Sequence, residues 1–401
     1  MSAPDSDWLA RLAQRVRSGQ ALVAGVLSGT SGDGIDVALV RFDGEGAVGA
    51  LRSPRTLWFD TLAFESDLAR RVRAVLDGEA TGLRESALLS RDLGRAFGRA
   101  VAHAQREFGA AVELVGSHGQ TVWHHDGLES SGAATLQLGD GDFVAEEVGC
   151  AVVSDFRQRD IAAGGEGAPL SALADDLVFA ALPRPSAVLN LGGMSNLTLL
   201  ERDGVRAFDC GPACALLDGL ARRLLGQPFD EDGRAAARGR VHAALVDELL
   251  AHPFLLRAPP KSTGRDTFGA AWIEHVLARG RALGVESPED FLASAAQFVA
   301  LSVARALKDF GGPRWNYLVA CGGGARHPLV LDTLALRSPH PLVGGDDFGV
   351  DPDAREALVF ATLAARAVLG EPLTRSGATG ARAGRVLGKF SPPPAAEPSA
   401  P

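Results

Sequence analysis

A two-domain α/β fold is the architecture this sequence predicts, and three observations predict it. The chain has 401 residues, more than a single hydrophobic core usually organises. Short apolar strand patterns alternate with helical ones along most of its length. One strand–turn–strand pattern also occurs twice, as VLSGTSGDGIDVALVRFDG from Val26 and as VLNLGGMSNLTLLERDG from Val188. Each copy is a strand, a turn built of Gly, Ser, Thr or Asn, a second strand and a closing Asp-Gly. A duplicated domain would set two such hairpins face to face across a cleft, although two unrelated hairpins fit the same pattern.

The elements follow in order. Segments 21–28 and 36–42 read as strands joined by the first Gly-rich turn, and 51–59 as a third. Apolar residues at helical spacing predict helices over 64–76 and 84–108. Short strands are expected at 112–116 and 150–154, with a Gly-, Arg- and Asp-rich loop over 157–170. A new strand starts at 186–191 and pairs with 197–200 through the second Gly-rich turn. Helices are predicted over 213–225, 241–250, 270–283, 288–310 and 353–369, and a strand over 317–321 runs into Gly322-Gly323-Gly324. Residues 1–20 read as an N-terminal extension with a short surface helix, and 389–401, rich in Pro and Ala, as a disordered tail.

Composition narrows the function classes. Apolar residues make up 46% and charged residues 22%, which is globular rather than disordered. A net charge of −9 argues against a general nucleic-acid or membrane-surface binder. No stretch reads as an uninterrupted membrane span of about 20 apolar residues, and the first residues show no apolar signal core. Cys150, Cys210, Cys214 and Cys321 have no histidine at metal spacing and read as reduced thiols of a cytoplasmic protein.

Three Gly-rich strand ends carry the chemistry. In Ser28-Gly29-Thr30-Ser31-Gly32-Asp33-Gly34-Ile35-Asp36 the glycines let backbone N–H groups approach an anion, and the hydroxyls add donors. Asp33 could hold a magnesium ion through its waters; an ordinary Asp-Gly hairpin fits the same residues. Gly192 and Gly193 would form the other half of a phosphate clamp. Gly322, Gly323 and Gly324 could pack against a nucleobase or sugar, or form only a tight turn. Asp209, in FDCGP, is either a helix N-cap or a general base between the clamps. His118, in GSHGQTVWH, is either a structural hydrogen bonder or a ligand group. The turns Asp155–Asp160 and 261–266 read as solvated surface or as anion binders.

Taken together, SGTSGDGID, GSHGQTVWH, LQLGD, SDFRQRDIAAGGEGAPL, LNLGGMSNLT, FDCGP, PKSTGRDTF and ACGGGARHPL, in that order, resemble the anhydro-N-acetylmuramic acid kinase family over about 25–380. The resemblance implies two ribonuclease-H-like domains of the actin/hexokinase type around an ATP cleft, formed by 21–155 plus 368–388 and by 156–367. It implies hydrolytic opening of a 1,6-anhydro muramic sugar with phosphorylation at O6, using ATP and Mg2+, by a cytoplasmic homodimer in cell-wall recycling. By resemblance Asp209 is the base, with Glu356 a second acid facing the sugar or simply a helix-start acid. Gly29, Thr30, Ser31, Gly32, Asp33, Gly34, Ile35 and Asp36 would cradle the phosphates, with Asp33 on the metal side. Gly192 and Gly193 would face them, and Gly322, Gly323 and Gly324 would lie against the adenosine. His118, Gln120, Thr121, Arg157 and Arg159 would supply donors to the sugar carboxylate. Gly32, Glu166, Ala213 and Cys214 depart from the family wording. They keep open a kinase of another small sugar, or a non-catalytic ATP- and sugar-binding sensor.

Overall fold

The uninterrupted apolar run of β1 (Val23–Ser28), buried at every position, has the pattern of a strand covered on both faces. In the computed structural model, which describes residues 7–29, 32, 34–43, 51, 53–126, 132–312, 314–373, 376–382 and 384–395, it lies inside a seven-stranded sheet. β2 (Ile35–Phe42) and β3 (Pro54–Leu62) follow as antiparallel neighbours on one side. On the other side lie β4 (Leu114–Asp126), with β5 (Ala133–Leu138) folded back on its outer half, and β6 (Ala151–Ser154), both β4 and β6 parallel to their inner neighbour. The second sheet repeats this plan. β7 (Ser186–Leu191), β8 (Met194–Leu200) and β9 (Val205–Pro212) are antiparallel, and β10 (Leu318–Cys321) and β11 (Leu342–Gly344) run parallel to β7. Leaving aside β5 and the C-terminal edge strand, both sheets share one order, β3-β2-β1-β4-β6 and β9-β8-β7-β10-β11, the first three strands antiparallel and the last two parallel to their inner neighbours. That shared topology is the duplication the two hairpins suggested, and it fits the ribonuclease-H-like domains that the resemblance implies.

Helices cover the sheets as their apolar faces require. α1 (Trp8–Arg17) buries Leu12 and Val16, so this helix of the expected extension packs into the core. α2 (Ser66–Leu76), α3 (Leu83–Phe108) and α4 (Gly141–Val148) cover one face of the first sheet. α5 (Phe156–Ala162) forms where a loop was expected, and α6 (Ala172–Val178) follows it. α7 (Cys214–Leu225), α8 (Ala243–Leu250), the short α9 (Pro253–Leu256) and α10 (Arg265–Phe268), α11 (Ala270–Ala282), α12 (Pro288–Ala306) and α13 (Pro328–Arg337) build the outer core of the second sheet. With its π-helical turn to Gly311, α12 is long and apolar enough to cross a membrane, contrary to the reading that no stretch approaches that length. Here it is a mostly buried core helix, with Phe291, Phe298 and Val303 inside.

α14 (Arg355–Val368) decides how the halves join. The sequence placed it in the second domain, yet it lies directly on the first sheet. A Cβ on Gly25 would come 1.8 Å from the carbonyl oxygen of Ala357, and one on Gly116 2.1 Å from that of Phe360. Only glycine permits backbone to approach backbone so closely. The core around α14 also takes in Val188, Val319 and Cys321 from the second sheet, so both sheets share one apolar layer. After α15 (Ser376–Thr379), β12 (Lys389–Ser391) pairs antiparallel with β6. The expected disordered tail therefore begins with an ordered strand, held by backbone bonds to Val152–Ser154 that no local pattern announces.

Candidate active site

The first Gly-rich turn leaves β1 at Ser28. Thr30, Ser31 and Asp33, and with Asp33 the metal role assigned to it, lie outside the described residues. The backbone N–H of Gly32 donates to Gly29 O at 3.1 Å. Gly32 has φ +68, and a Cβ there would come 2.4 Å from Leu76 Cδ1. Leu76 thus fills the space an apolar residue at this position would take. Gln120 Nε2 donates to Gly29 O at 3.1 Å and to Thr121 O at 3.2 Å. Gln120 consequently braces the turn from β4, with both amide hydrogens occupied. Ile35 is buried in the apolar core and has no face for a ligand. Asp36 accepts a 2.7 Å bond from Thr61 Oγ1. Burial pushes its carboxyl up to about 6, with the negative charges of Glu356 and Asp353 adding to the rise.

The opposite turn is tied to α7. Gly193 O accepts from the N–H groups of Ala213 and Ala215, and Gly192 O from that of Cys214. Those carbonyls occupy the first amides of α7, so that helix start is not a free anion site. Asn190 Nδ2 donates to Glu356 Oε1 at 3.1 Å, bringing the first turn of α14 to the end of β7. Glu356 therefore faces the hairpin turn and Asp36. Of the three consecutive glycines, only Gly323 looks onto open space. A Cβ on Gly322 would sit 2.9 Å from Leu191 O, and one on Gly324 2.8 Å from Leu191 Cβ.

Asp209 is not an N-cap. It lies within β9, is 4% exposed, and α7 starts from Ala213. Its Oδ2 accepts from the backbone N–H of Thr263 at 2.8 Å, and its own N–H donates to Lys261 O at 3.0 Å. Burial pushes its carboxyl up to about 7, and the Thr263 N–H opposes the rise. The negative charge of Glu166 raises it further, and Arg157 and Lys261 lower it. A carboxyl poised near neutrality suits a general base. Lys261, Ser262 and Thr263 are all buried, which overturns the solvated-surface reading for the first half of 261–266, while Asp266 is exposed.

Arg157 Nη1 donates to Gly167 O at 2.7 Å and its Nε to His118 Nε2 at 3.0 Å. Burial lowers its guanidinium to about 10, against the pull of Asp209, Glu356 and Asp160, so it remains a cation. His118 stacks on Phe360 with ring centroids 4.4 Å apart. Its Nδ1 lies 3.2 Å from Gly119 O, so Nδ1 carries the proton while Nε2 accepts from Arg157. Burial holds its pKa well below the ordinary value. With both nitrogens occupied, His118 orients Arg157 and offers a ligand no donor. Thr121 Oγ1 accepts from Gln137 and keeps its own hydrogen. Arg159 is exposed: two positions beyond Arg157 on α5, it projects from another face of the helix.

A family model for anhydro-N-acetylmuramic acid kinase matches residues 21–393. The chain belongs to that family. Curated relatives named anhydro-N-acetylmuramic acid kinase agree along nearly their whole length. One from Xanthomonas oryzae pv. oryzae is 41% identical, covering 92% of this chain and 97% of its own. One from Gloeobacter violaceus is 37% identical over 92% and 98%, and one from Burkholderia cenocepacia 40% over 92% and 95%.

For an anhydro-N-acetylmuramic acid kinase family member the site has suitable unfilled valences. Ser28 Oγ, Ser117 Oγ, Gln120 Oε1, Asn190 Oδ1, Ser262 Oγ and Thr263 Oγ1 are buried without a hydrogen-bond partner among the described residues. Such atoms call for water or a polar ligand. Sequence reasoning missed Thr61 and Asp353, and it held Asn190 and Thr263 within their turns without giving either a role of its own. The motifs LNLGG and PKSTG contained two of them, but which backbone N–H meets Asp209 depends on contacts far apart in the chain.

Proposed function

We propose that this protein opens 1,6-anhydro-N-acetylmuramic acid with water and transfers the ATP γ-phosphoryl group to O6. The products are N-acetylmuramic acid 6-phosphate and ADP, and the setting is peptidoglycan recycling. The observation that carries this reading is Asp209, a buried carboxylate near neutral pKa with its Oδ2 fixed by Thr263 and a half-buried cation, Arg157, close enough to influence it.

In the anhydro sugar O6 is bound to C1 and cannot accept a phosphoryl group. Ionised Asp209, with Oδ1 free of the Thr263 bond, takes a proton from water as the water oxygen bonds to C1. The C1–O6 bond breaks, and its electron pair stays on O6, which bonds to the γ-phosphorus as ADP departs. Asp209 then returns its proton to solvent. Arg157 supplies positive charge for the sugar carboxylate, and the Thr121 hydroxyl a further donor. The turn from Gly29 to Asp36 and the turn at Gly192 and Gly193 flank the phosphates, and Gly323 faces the nucleoside. Mg2+ on ATP would neutralise phosphate charge; Asp36 and Glu356 are the acids suited to face it, with Asp33. We extend the reading to a cytoplasmic homodimer.

The test is incubation with Mg-ATP and 1,6-anhydro-N-acetylmuramic acid, following ADP and sugar mass. A product heavier by one water and one phosphoryl group, absent with Asp209→Asn, is expected. ADP release with a plain hexose but not with the anhydro sugar would overturn the reading.

A further inference from the structure

Lys261 is a buried cation with no carboxylate against it. It is 2% exposed, and among the described residues its ammonium hydrogen-bonds only to backbone carbonyls. Its ammonium lies over two rings, 4.9 Å from the centroid of Phe254 and 5.1 Å from that of Phe310. Nζ donates to Phe254 O at 3.3 Å and to Leu255 O at 3.4 Å, the carbonyls that close α9. Desolvating an ammonium is costly, and two long hydrogen bonds with two ring faces recover only part of that cost. A methionine or leucine would fill this apolar cage without the penalty. The charge therefore needs a reason outside the cage.

The reason lies on the other side of the same residue. The Lys261 carbonyl accepts the N–H of Asp209, and two positions on, the N–H of Thr263 reaches Asp209 Oδ2. We propose that Lys261 is a positioning residue for Asp209: its caged ammonium locks the 261–263 segment along β9 and sets a fixed positive charge behind the carboxylate. This inference rests on the proposed role of Asp209 as base.

The charged groups that face Asp209 are Glu166, which disfavours its ionised form, and Arg157 and Lys261, which favour it. Arg157 comes from α5 and is engaged with His118 and Gly167. Lys261 comes from the segment packed against β9 itself. Removing its charge leaves Glu166 opposed by Arg157 alone, and Asp209 then ionises at higher pH.

The experiment replaces Lys261 with Met, which keeps length and apolar bulk, and with Arg, which keeps the charge. The Asp209 carboxyl is titrated directly by carbon-13 NMR on the full chain, its signal assigned by loss in Asp209→Asn, and the pH profile of kcat/KM is measured with Mg-ATP and the anhydro sugar. With Lys261→Met the Asp209 titration and the acidic limb should both move up by about one pH unit, a loss of about tenfold at pH 6 that closes above pH 8. Lys261→Arg should restore most of it. An unmoved titration, or a loss equal at every pH, overturns the proposal. Should Lys261→Met fail to fold, Phe310→Leu opens the cage while keeping the charge. It should lower stability and leave the titration of Asp209 within a few tenths of a unit; a shift as large as a full unit would place the effect in packing and overturn the proposal. If the wild type turns over no anhydro sugar, the proposed function fails while the NMR titration still decides the role of Lys261.

Discussion

Arg355 Nη2 donates to both carboxylate oxygens of Asp175, at 2.7 and 2.6 Å, and neither side chain has any exposed surface. The pair joins α14, which lies on the first sheet, to α6. Asp175 also accepts from Thr198 Oγ1 of β8 at 2.6 Å, so the bond extends into the second sheet. Breaking a buried pair leaves one uncompensated charge.

Arg355→Met should therefore destabilise the protein by about 3–5 kcal/mol in denaturant unfolding. Arg355→Met combined with Asp175→Leu should recover much of that loss. A double variant no better than the single one would show that the pair does more than satisfy itself.

Asp209 predicts the pH dependence of turnover. With its pKa near 7, the base form is lost as pH falls through that value. kcat/KM for the anhydro sugar should rise through about pH 7 and drop about tenfold per unit well below it. A profile flat from pH 5 to 8 would remove Asp209 as the base.

The same carboxyl sets an opposite trend in stability. Its folded pKa, about 7, stands above the ordinary aspartate value of 3.8. Its contribution to stability is present below the unfolded value and is lost as pH rises through about 7. Asp209→Asn keeps an oxygen for the Thr263 N–H and has no charge to bury. Its unfolding free energy should match the wild type near pH 4 and exceed it at pH 8, by on the order of 4 kcal/mol at most.

Gly25 is predicted to be intolerant of a single methyl group. The nearest atom to an added Cβ is the Ala357 carbonyl oxygen, a backbone atom that cannot rotate away. Gly25→Ala should cost about 3 kcal/mol or more and displace the start of α14, lowering turnover through Glu356. Gly204→Ala, where a Cβ would meet nothing within 4 Å, is the matched control and should change neither.

Much of this molecule is legible along the chain. The two hairpins, the long helices α3 and α12 and the strand running into Gly322 are local patterns, because side-chain period and turn chemistry act within a few residues. Asp209 stood out for a similar reason, as an acid at an expected strand end just before a helix. Other features were illegible for want of any local signal. In α6 the sequence ALADDLV looks polar at Asp175, which is buried because Arg355 arrives 180 residues further on. By sequence His118 fits a structural hydrogen bonder or a ligand group alike, and only Arg157 and Gly119, which occupy both its nitrogens, favour the first.

The sequence by itself determined the duplicated strand–turn–strand plan, the glycine turns at the strand ends, the acid in β9 and the family. Periodicity, turn geometry and motif order are properties of short stretches. The tertiary structure alone decided that α14 lies on the first sheet while reaching into the second, that Lys261 is caged behind Asp209, and that the Asp209 carboxyl sits near neutrality. Burial and the charge field at a buried atom are sums over neighbours contributed by distant parts of the chain, and no local pattern contains them.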